Sequence, residues 1–397
     1  MIGLAVTAGC VTAPKATTTT RDSLGIQVVG NQAPVQPDAP WILDSLPLVD
    51  LGGQSGDPTQ EFSESVYPVR LSDGRLVVAN FGANELRFFG PDGKWLKTVG
   101  RKGGGPGEFQ QLGWLDLAAG DTLRAYDWDL RRISVFTGAG ALQRVVTLSV
   151  GNGAAPPLPV GMLGNGRLIA LGQSFTTPGS RPGAGRDTMP LQAYDAGGAL
   201  RDSLGRLPGS EHLIQTSKQS VSVTRLPFGK DLTVVARRER IYVGTADGPE
   251  VTILKPDGKP EMIIRWAARP VPVTAVDIEG FIAGFGSGWK PGQEAMRDRF
   301  IQMVRQAPFP KWKPAYAGLM VAADGSIWVR RYSEPDKTAP TVFDVFDAVG
   351  RWLGAVRMPA QFSPTQIGDG VVVGTWKDED DLHHVQVYRL ASLGKRG

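Results

Sequence analysis

The chain of 397 residues holds a single cysteine, Cys10, and three histidines, His212, His383 and His384. A lone cysteine excludes an intrachain disulfide, so core packing and backbone pairing must hold the fold. A metal centre of three imidazoles would have to recruit every histidine, and the adjacent pair, if placed on a strand, sends its side chains to opposite faces. Long apolar runs are lacking too: no segment reaches the roughly eighteen residues that a membrane-spanning helix needs. Charge of one sign is scarce. The 43 Lys and Arg against 39 Asp and Glu leave +4. Short pairs such as Arg131-Arg132, Arg237-Arg238 and Arg330-Arg331 do not amount to a nucleic-acid footprint. No G-x-S-x-G elbow occurs. The Gly103 to Gly107 run lacks the following Lys-Ser/Thr of a phosphate loop, so it reads as a strand-to-strand crossing.

What the chain does have is 51 glycines and 30 prolines, spread between short apolar runs as turn residues and not gathered in one tract. That distribution favours an all-β protein. Asp73 to Phe109 shows the unit most clearly. A turn at Asp73-Gly74 leads into the apolar strand Arg75 to Asn80, and a polar break at Gly82 to Asn84 precedes a second strand, Glu85 to Phe89. Pro91-Asp92-Gly93 then turns the chain back through Lys94 to Val99. Imperfect copies follow. The second runs from Asp121 through Leu148 and the third from Asn165 to Gly198, with an insertion near Pro178 to Gly185. The fourth spans Arg240 to Gly258 and repeats the turn as Pro256-Asp257-Gly258; the fifth runs from Asp324 to Leu353 and the last from Asp369 to Tyr388.

Six units of about forty to fifty residues predict a six-bladed β-propeller of four-stranded antiparallel blades. Such a sheet cannot bury both its faces alone, whereas radial stacking buries each against its neighbours. The last unit lacks a fourth strand, and Leu48 to Leu51 is a spare one, so closure is expected between the N-terminal strand and the last blade. These repeats are similar to NHL-type repeats, and the whole resembles the secreted or lipoprotein six-bladed β-propellers of bacteria. The resemblance covers most of residues 48–392 and implies a rigid disc that binds proteins, sugars or small molecules, or carries enzyme activity. Propeller lactonases hold an axial calcium, and Asn80, Asp116 and Asp127 fall where such ligands would sit. The equivalent positions of other units are Gln173, Gly244, Arg330 and Gly374, which do not complete an acidic cage.

Outside the repeats, residues 1–10 are small and apolar up to Cys10. They resemble a bacterial lipoprotein signal, shortened and without a leading basic residue, which makes Cys10 the lipidation candidate. Residues 11–40 read as an extended tether or arm, leaving 41–397 as a single propeller. One stretch, about 271–314, departs from the strand pattern. Thr274 to Asp277 reads as a capping box ahead of Val276, Phe281, Ile282 and Phe285; Glu294 to Gln306 carries Met296, Phe300, Met303 and Val304 at helical spacing. A helical hairpin is therefore expected between blades 4 and 5. Its apolar stripe is read either as packing on the rim or as a docking element. Trp289, Lys290, Arg297, Arg299, Phe300, Arg305, Lys311 and Trp312 are the interaction candidates, suited to an acidic partner or a headgroup surface.

The expected function is a non-catalytic interaction scaffold, periplasmic or extracellular, anchored or docked at a membrane. It would be an extrinsic subunit of a larger membrane complex such as a photosynthetic or respiratory assembly. No cofactor is expected. The alternatives are a ligand-binding or sensor propeller and a calcium-dependent, lactonase-like hydrolase.

Overall fold

The computed structural model describes residues 18–36, 41–53, 56–62, 65–151, 155–173, 183–216, 221–286, 289, 292–333 and 338–392. Cys10, Lys290 and most of the Pro178 to Gly185 insertion lie outside them. The chain begins with the hairpin β1 (Thr18–Ser23) and β2 (Ile26–Asn31), then β3 (Trp41–Leu43) and β4 (Val49–Gly52). The first full sheet is β5 (Val66–Arg70), β6 (Leu76–Asn80), β7 (Glu85–Phe89) and β8 (Trp95–Val99); the second is β9 (Leu112–Ala118), β10 (Thr122–Asp127), β11 (Arg132–Phe136) and β12 (Leu142–Thr147). Next come β13 (Leu158–Leu163), β14 (Leu168–Leu171), β15 (Gly183–Tyr194), β16 (Leu200–Thr216) and β17 (Val221–Arg225), then β18 (Thr233–Arg238), β19 (Arg240–Gly244), β20 (Glu250–Leu254) and β21 (Pro260–Trp266). Two helices follow, α1 (Ala275–Gly286) and α2 (Glu294–Arg305). The chain ends with β22 (Gly318–Val321), β23 (Ile327–Arg330), β24 (Pro340–Phe346) and β25 (Trp352–Ala360), and with β26 (Ser363–Gly368), β27 (Val371–Lys377) and β28 (His383–Ser392).

Each group of strands is antiparallel, and apolar cores lie between consecutive groups. Val77 and Phe88 of the first sheet pack with Leu123 and Phe136 of the second; Tyr126 and Val135 pack in turn with Leu168 and Tyr194. Ile169 and Leu191 meet Ile241 and Leu254, and Ile253 and Ile264 meet Ile327 and Phe346. Phe343 and Val356 meet Ile367 and Val372. Val373 and Val385 of the last group meet Leu76, Val78 and Phe89 of the first, which closes the ring. All five residues of β6 are buried, as expected for a strand covered on both faces. The fold is mostly β and propeller-like.

The N-terminal strand β4 pairs antiparallel with β28, Leu51 opposite Val385, so closure takes place where the spare strand predicted it. The separate four-stranded blades do not form throughout. β13 and β18 pair in parallel, from Gly161 opposite Ala236 to Leu163 opposite Arg238, and fuse two groups into a mixed eleven-stranded sheet. Gly161 permits this. It sits at a register break with φ +137°, and a Cβ there would lie 2.0 Å from the Ala236 carbonyl oxygen.

Residues 18–31, read from sequence as part of a tether, instead form a hairpin whose second strand pairs in parallel with β21. Val28, Val29 and Asn31 are buried there. The composition of the stretch suggested no structure, because its stabilising partner is the edge of a strand far away in the chain.

Candidate functional site

The helices are fixed to the strands at both ends. Thr274 and Asp277 cap α1 reciprocally: the Thr274 N–H donates to Asp277 Oδ2 at 2.8 Å, and the Asp277 N–H to Thr274 Oγ1 at 3.3 Å. This satisfies donors that a helix start otherwise leaves open. Asp277 Oδ1 also accepts from Lys313 Nζ at 2.8 Å. The lysine contact comes first among the causes, ahead of the Thr274 bonds, that hold the carboxyl down at about 2. Met303 of α2, with Ala307 and Phe309 beyond it, packs on Leu213 of β16 and on Leu226. Phe228 meets Phe281 at 5.8 Å and Phe309 at 6.0 Å between ring centroids.

Beneath the helices lies a cavity of about 500 Å³. Its roof is apolar, formed by Phe281, Phe300, Met303 and Val304 together with Phe228 and Leu213. Its floor is polar, with Arg225, Asp231, Arg330, Tyr332 and Thr341. Arg225 pairs with Asp231 at 2.9 Å. Arg330, exposed to the cavity's solvent, has among the described residues only a long 3.5 Å bond to the Ala317 carbonyl. Its protein surroundings lower its pKa by desolvation, against the attraction of Asp231. A second recess of about 520 Å³ shares Pro314, Tyr332 and Ser333 with the first and is walled by Trp266, Trp312 and Trp352. There Arg331 grips Asp344 through two bonds of 2.8 and 2.7 Å, and the same carboxylate accepts from Trp352 Nε1 at 3.2 Å. Arg331 thereby stays firmly charged.

The interaction candidates divide between these recesses and the surface. Phe300 lines the cavity and packs 6.4 Å from Trp289. Trp312 lines the second recess, with the Lys311 ammonium 5.1 Å above its ring. Arg297 pairs with Asp298 at 3.0 Å and Arg305 with Glu279 at 2.9 Å. Arg299 is exposed. Of the axial carboxylates, Asp127 accepts from the N–H groups of Gln110, Gln111 and Leu130, and Asp116 pairs with Arg124 at 3.1 Å. Among the described residues no cluster of three His, Cys, Asp or Glu side chains is placed to hold a metal. His212 lies on β16 and His383 and His384 on β28. His384 is held between Asp50 at 2.9 Å and Asp378 at 3.3 Å.

Sequence reasoning singled out Phe300 for its helical spacing but missed Phe228, Arg225 and Asp231, and it noted Arg330 only as half of a basic pair and as a channel position. The sole local signal was the apolar Leu226-Pro227-Phe228-Gly229 within a loop.

No protein-family model matches this sequence, and no curated protein matches it. Solved structures do. A member of the DUF4221 family from Bacteroides vulgatus, 9% identical, aligns over 90% of this chain and 100% of its own with a TM-score of 0.51. Virginiamycin B lyase from Staphylococcus aureus, 10% identical, aligns over 88% of this chain and 100% of its own at 0.42. A gluconolactonase from Xanthomonas campestris, 12% identical, aligns over 91% and 100% at 0.40. Such likeness concerns the propeller-like fold alone.

Proposed function

We propose that the protein is an exported, six-bladed ligand-binding propeller whose cavity beneath the helices takes a small amphipathic anion, an apolar body ending in a carboxylate. The observation that carries this reading is the pairing of opposites in one cavity. Aromatic and aliphatic side chains of α1 and α2 form the roof, and the Arg330 guanidinium stands on the floor without a carboxylate partner among the described residues. Apolar pockets with a few convergent polar groups are the usual form of small-molecule sites, and a guanidinium matches a carboxylate bidentately.

The test is calorimetric titration of the full chain with decanoate and with decanol. Decanoate should bind roughly ten- to a hundredfold more tightly, the worth of one charge-assisted hydrogen bond, and Arg330→Met should erase the difference. Equal affinity for acid and alcohol in the unmodified protein would sink the proposal. Export rests on the N-terminal residues ending in Cys10, where a lipid anchor would attach.

A second reading, docking on a larger membrane complex, is favoured by exposed apolar side chains of the inserted segment, Trp312 at 43% and Met296 at 60%, and by its exposed cations Arg299 and Lys311. Native purification from membranes separates the two: a stable co-purifying protein supports docking, and recovery only as a soluble monomer rejects it.

A further inference from the structure

A third cavity, about 720 Å³, is distinct from the two recesses beside the helices. It is lined by β5, β9, β13, β18, β22 and β26, the first strand of each group, and turns joining first to second strands stand at one end. Deep in it lie four polar side chains from three of those strands and their neighbour: Tyr67 on β5, Asp116 on β9, Arg124 on β10 and Arg237 on β18. Their charges do not balance. Asp116 is already engaged by Arg124, Nη1 to Oδ2 at 3.1 Å. Arg237 is close enough to act electrostatically on both Asp116 and Tyr67, yet it forms no salt bridge among the described residues. One carboxylate therefore faces two guanidiniums. The other charged side chains of the wall, Arg70, Arg238, Asp121 and Asp369, add two of each sign, so a single negative charge would complete the set.

We infer that this central cavity is an anion site, in which Arg237 and the Tyr67 hydroxyl receive a small hydrophilic carboxylate beside the Asp116–Arg124 pair. Charge balance selects a monoanion: a phosphate dianion would leave a second negative charge uncompensated next to Asp116. The phenol is suited to donating. Burial first, and then the neighbouring Asp116, push its pKa up to about 12, so it keeps its proton. It now bonds only weakly to the Thr365 carbonyl, at 3.3 Å. Burial raises the Asp116 pKa as well, even against Arg124 and Arg237, which marks the surroundings as poorly solvating for charge. In such surroundings charge-assisted hydrogen bonds are strong.

The test uses the full chain titrated with lactate and with inorganic phosphate, followed by calorimetry and by the thermal midpoint. Lactate should bind saturably and more tightly than phosphate. Arg237→Gln should weaken lactate at least tenfold, whereas Asp116→Asn, which leaves a second guanidinium unneutralised, should tighten it severalfold. Opposite signs from two neighbouring substitutions cannot come from a shared folding defect. Saturating decanoate should leave the lactate titration unchanged, which keeps this site separate from the cavity beneath the helices. Absence of lactate binding at tens of millimolar, a preference for phosphate, or the same sign from both substitutions would each overturn the inference.

Discussion

Lys313 Nζ lies 2.8 Å from Asp277 Oδ1, with both side chains more than four-fifths shielded from solvent. The aspartate opens α1 and the lysine follows α2, so the pair ties the two ends of the helical segment together. The Asp277 carboxyl, ordinarily at 3.8, is held down at about 2 in the folded protein. A depressed carboxyl stabilises above its unfolded pKa and ceases to do so as pH falls through its folded value. Helical ellipticity should therefore drop in the window between about pH 4 and pH 2. Asp277→Asn keeps a capping oxygen but no charge, and should already show at neutral pH the faster amide exchange in α1 that the parent protein shows only in acid. Identical exchange in parent and variant at pH 7 would rule this out.

Asn31 fastens the N-terminal hairpin to the body. Its Nδ2 donates to the carbonyls of Gly350 at 3.0 Å and Arg265 at 3.1 Å, and its Oδ1 accepts from the Trp352 N–H at 3.0 Å. Replacing Asn31 by Ala strands buried backbone groups, at a cost of about 1–3 kcal/mol. Urea unfolding should show that loss, and exchange should quicken across Thr18–Asn31. An unchanged midpoint with unchanged exchange would mean that the side chain is dispensable.

Closure can be tested at one residue. Leu51 is 2% exposed and packs with Val78, Phe89 and Val385, whereas Leu48, just before the same strand, is 50% exposed. Leu51→Ala should cost about 2–5 kcal/mol, and Leu48→Ala should stay within about 0.5 kcal/mol. Comparable effects from both would contradict a ring closed by β4, as would an unchanged thermal midpoint after deletion of the residues up to Gly53.

The parts of this fold legible in the sequence are those decided locally. Pro91-Asp92-Gly93 makes its turn with Gly93 at φ +81°, and the Thr274–Asp277 capping box lies within four residues; both need only neighbours in the chain. The spare strand at Leu48 to Leu51 was legible for a different reason, since a repeat count leaves one strand missing and one over. What escaped depends on distant partners. The hairpin at 18–31 is held by β21, the fusion of two groups by Gly161 against Ala236, and the roofed cavity by Phe228 meeting α1. Arg237 could be noted as half of a basic pair, but nothing local says that it faces Tyr67 and Asp116 from across a ring.

Two glycines make the backbone argument testable in opposite directions. Gly161→Ala would drive a Cβ to 2.0 Å from the Ala236 carbonyl at φ +137°. It should cost at least about 2 kcal/mol and loosen the β13–β18 pairing. Gly280, exposed within α1, has nothing within 4 Å of an added Cβ. Gly280→Ala should therefore stabilise by about 0.5–1 kcal/mol. Chemical denaturation of the two variants should move the midpoint in opposite senses, and a shared direction would refute the steric account.

Phe228 decides whether the helices stay seated over their cavity. Its ring is 5% exposed and lies between Phe281 and Phe309, yet its backbone is held at φ +58°, a conformation that costs a residue bearing a Cβ about 1–2 kcal/mol. The aromatic contacts must outweigh that strain. Phe228→Ala removes the contacts and keeps the strain, so it should destabilise by about 3–5 kcal/mol and expose α1 and α2 to limited proteolysis. Phe228→Gly removes both, and should unfold at a higher denaturant concentration than Phe228→Ala while showing the same proteolytic exposure. If the alanine variant proved the more stable of the two, or if neither variant opened the helices to protease, Phe228 would not be the residue that holds this roof in place.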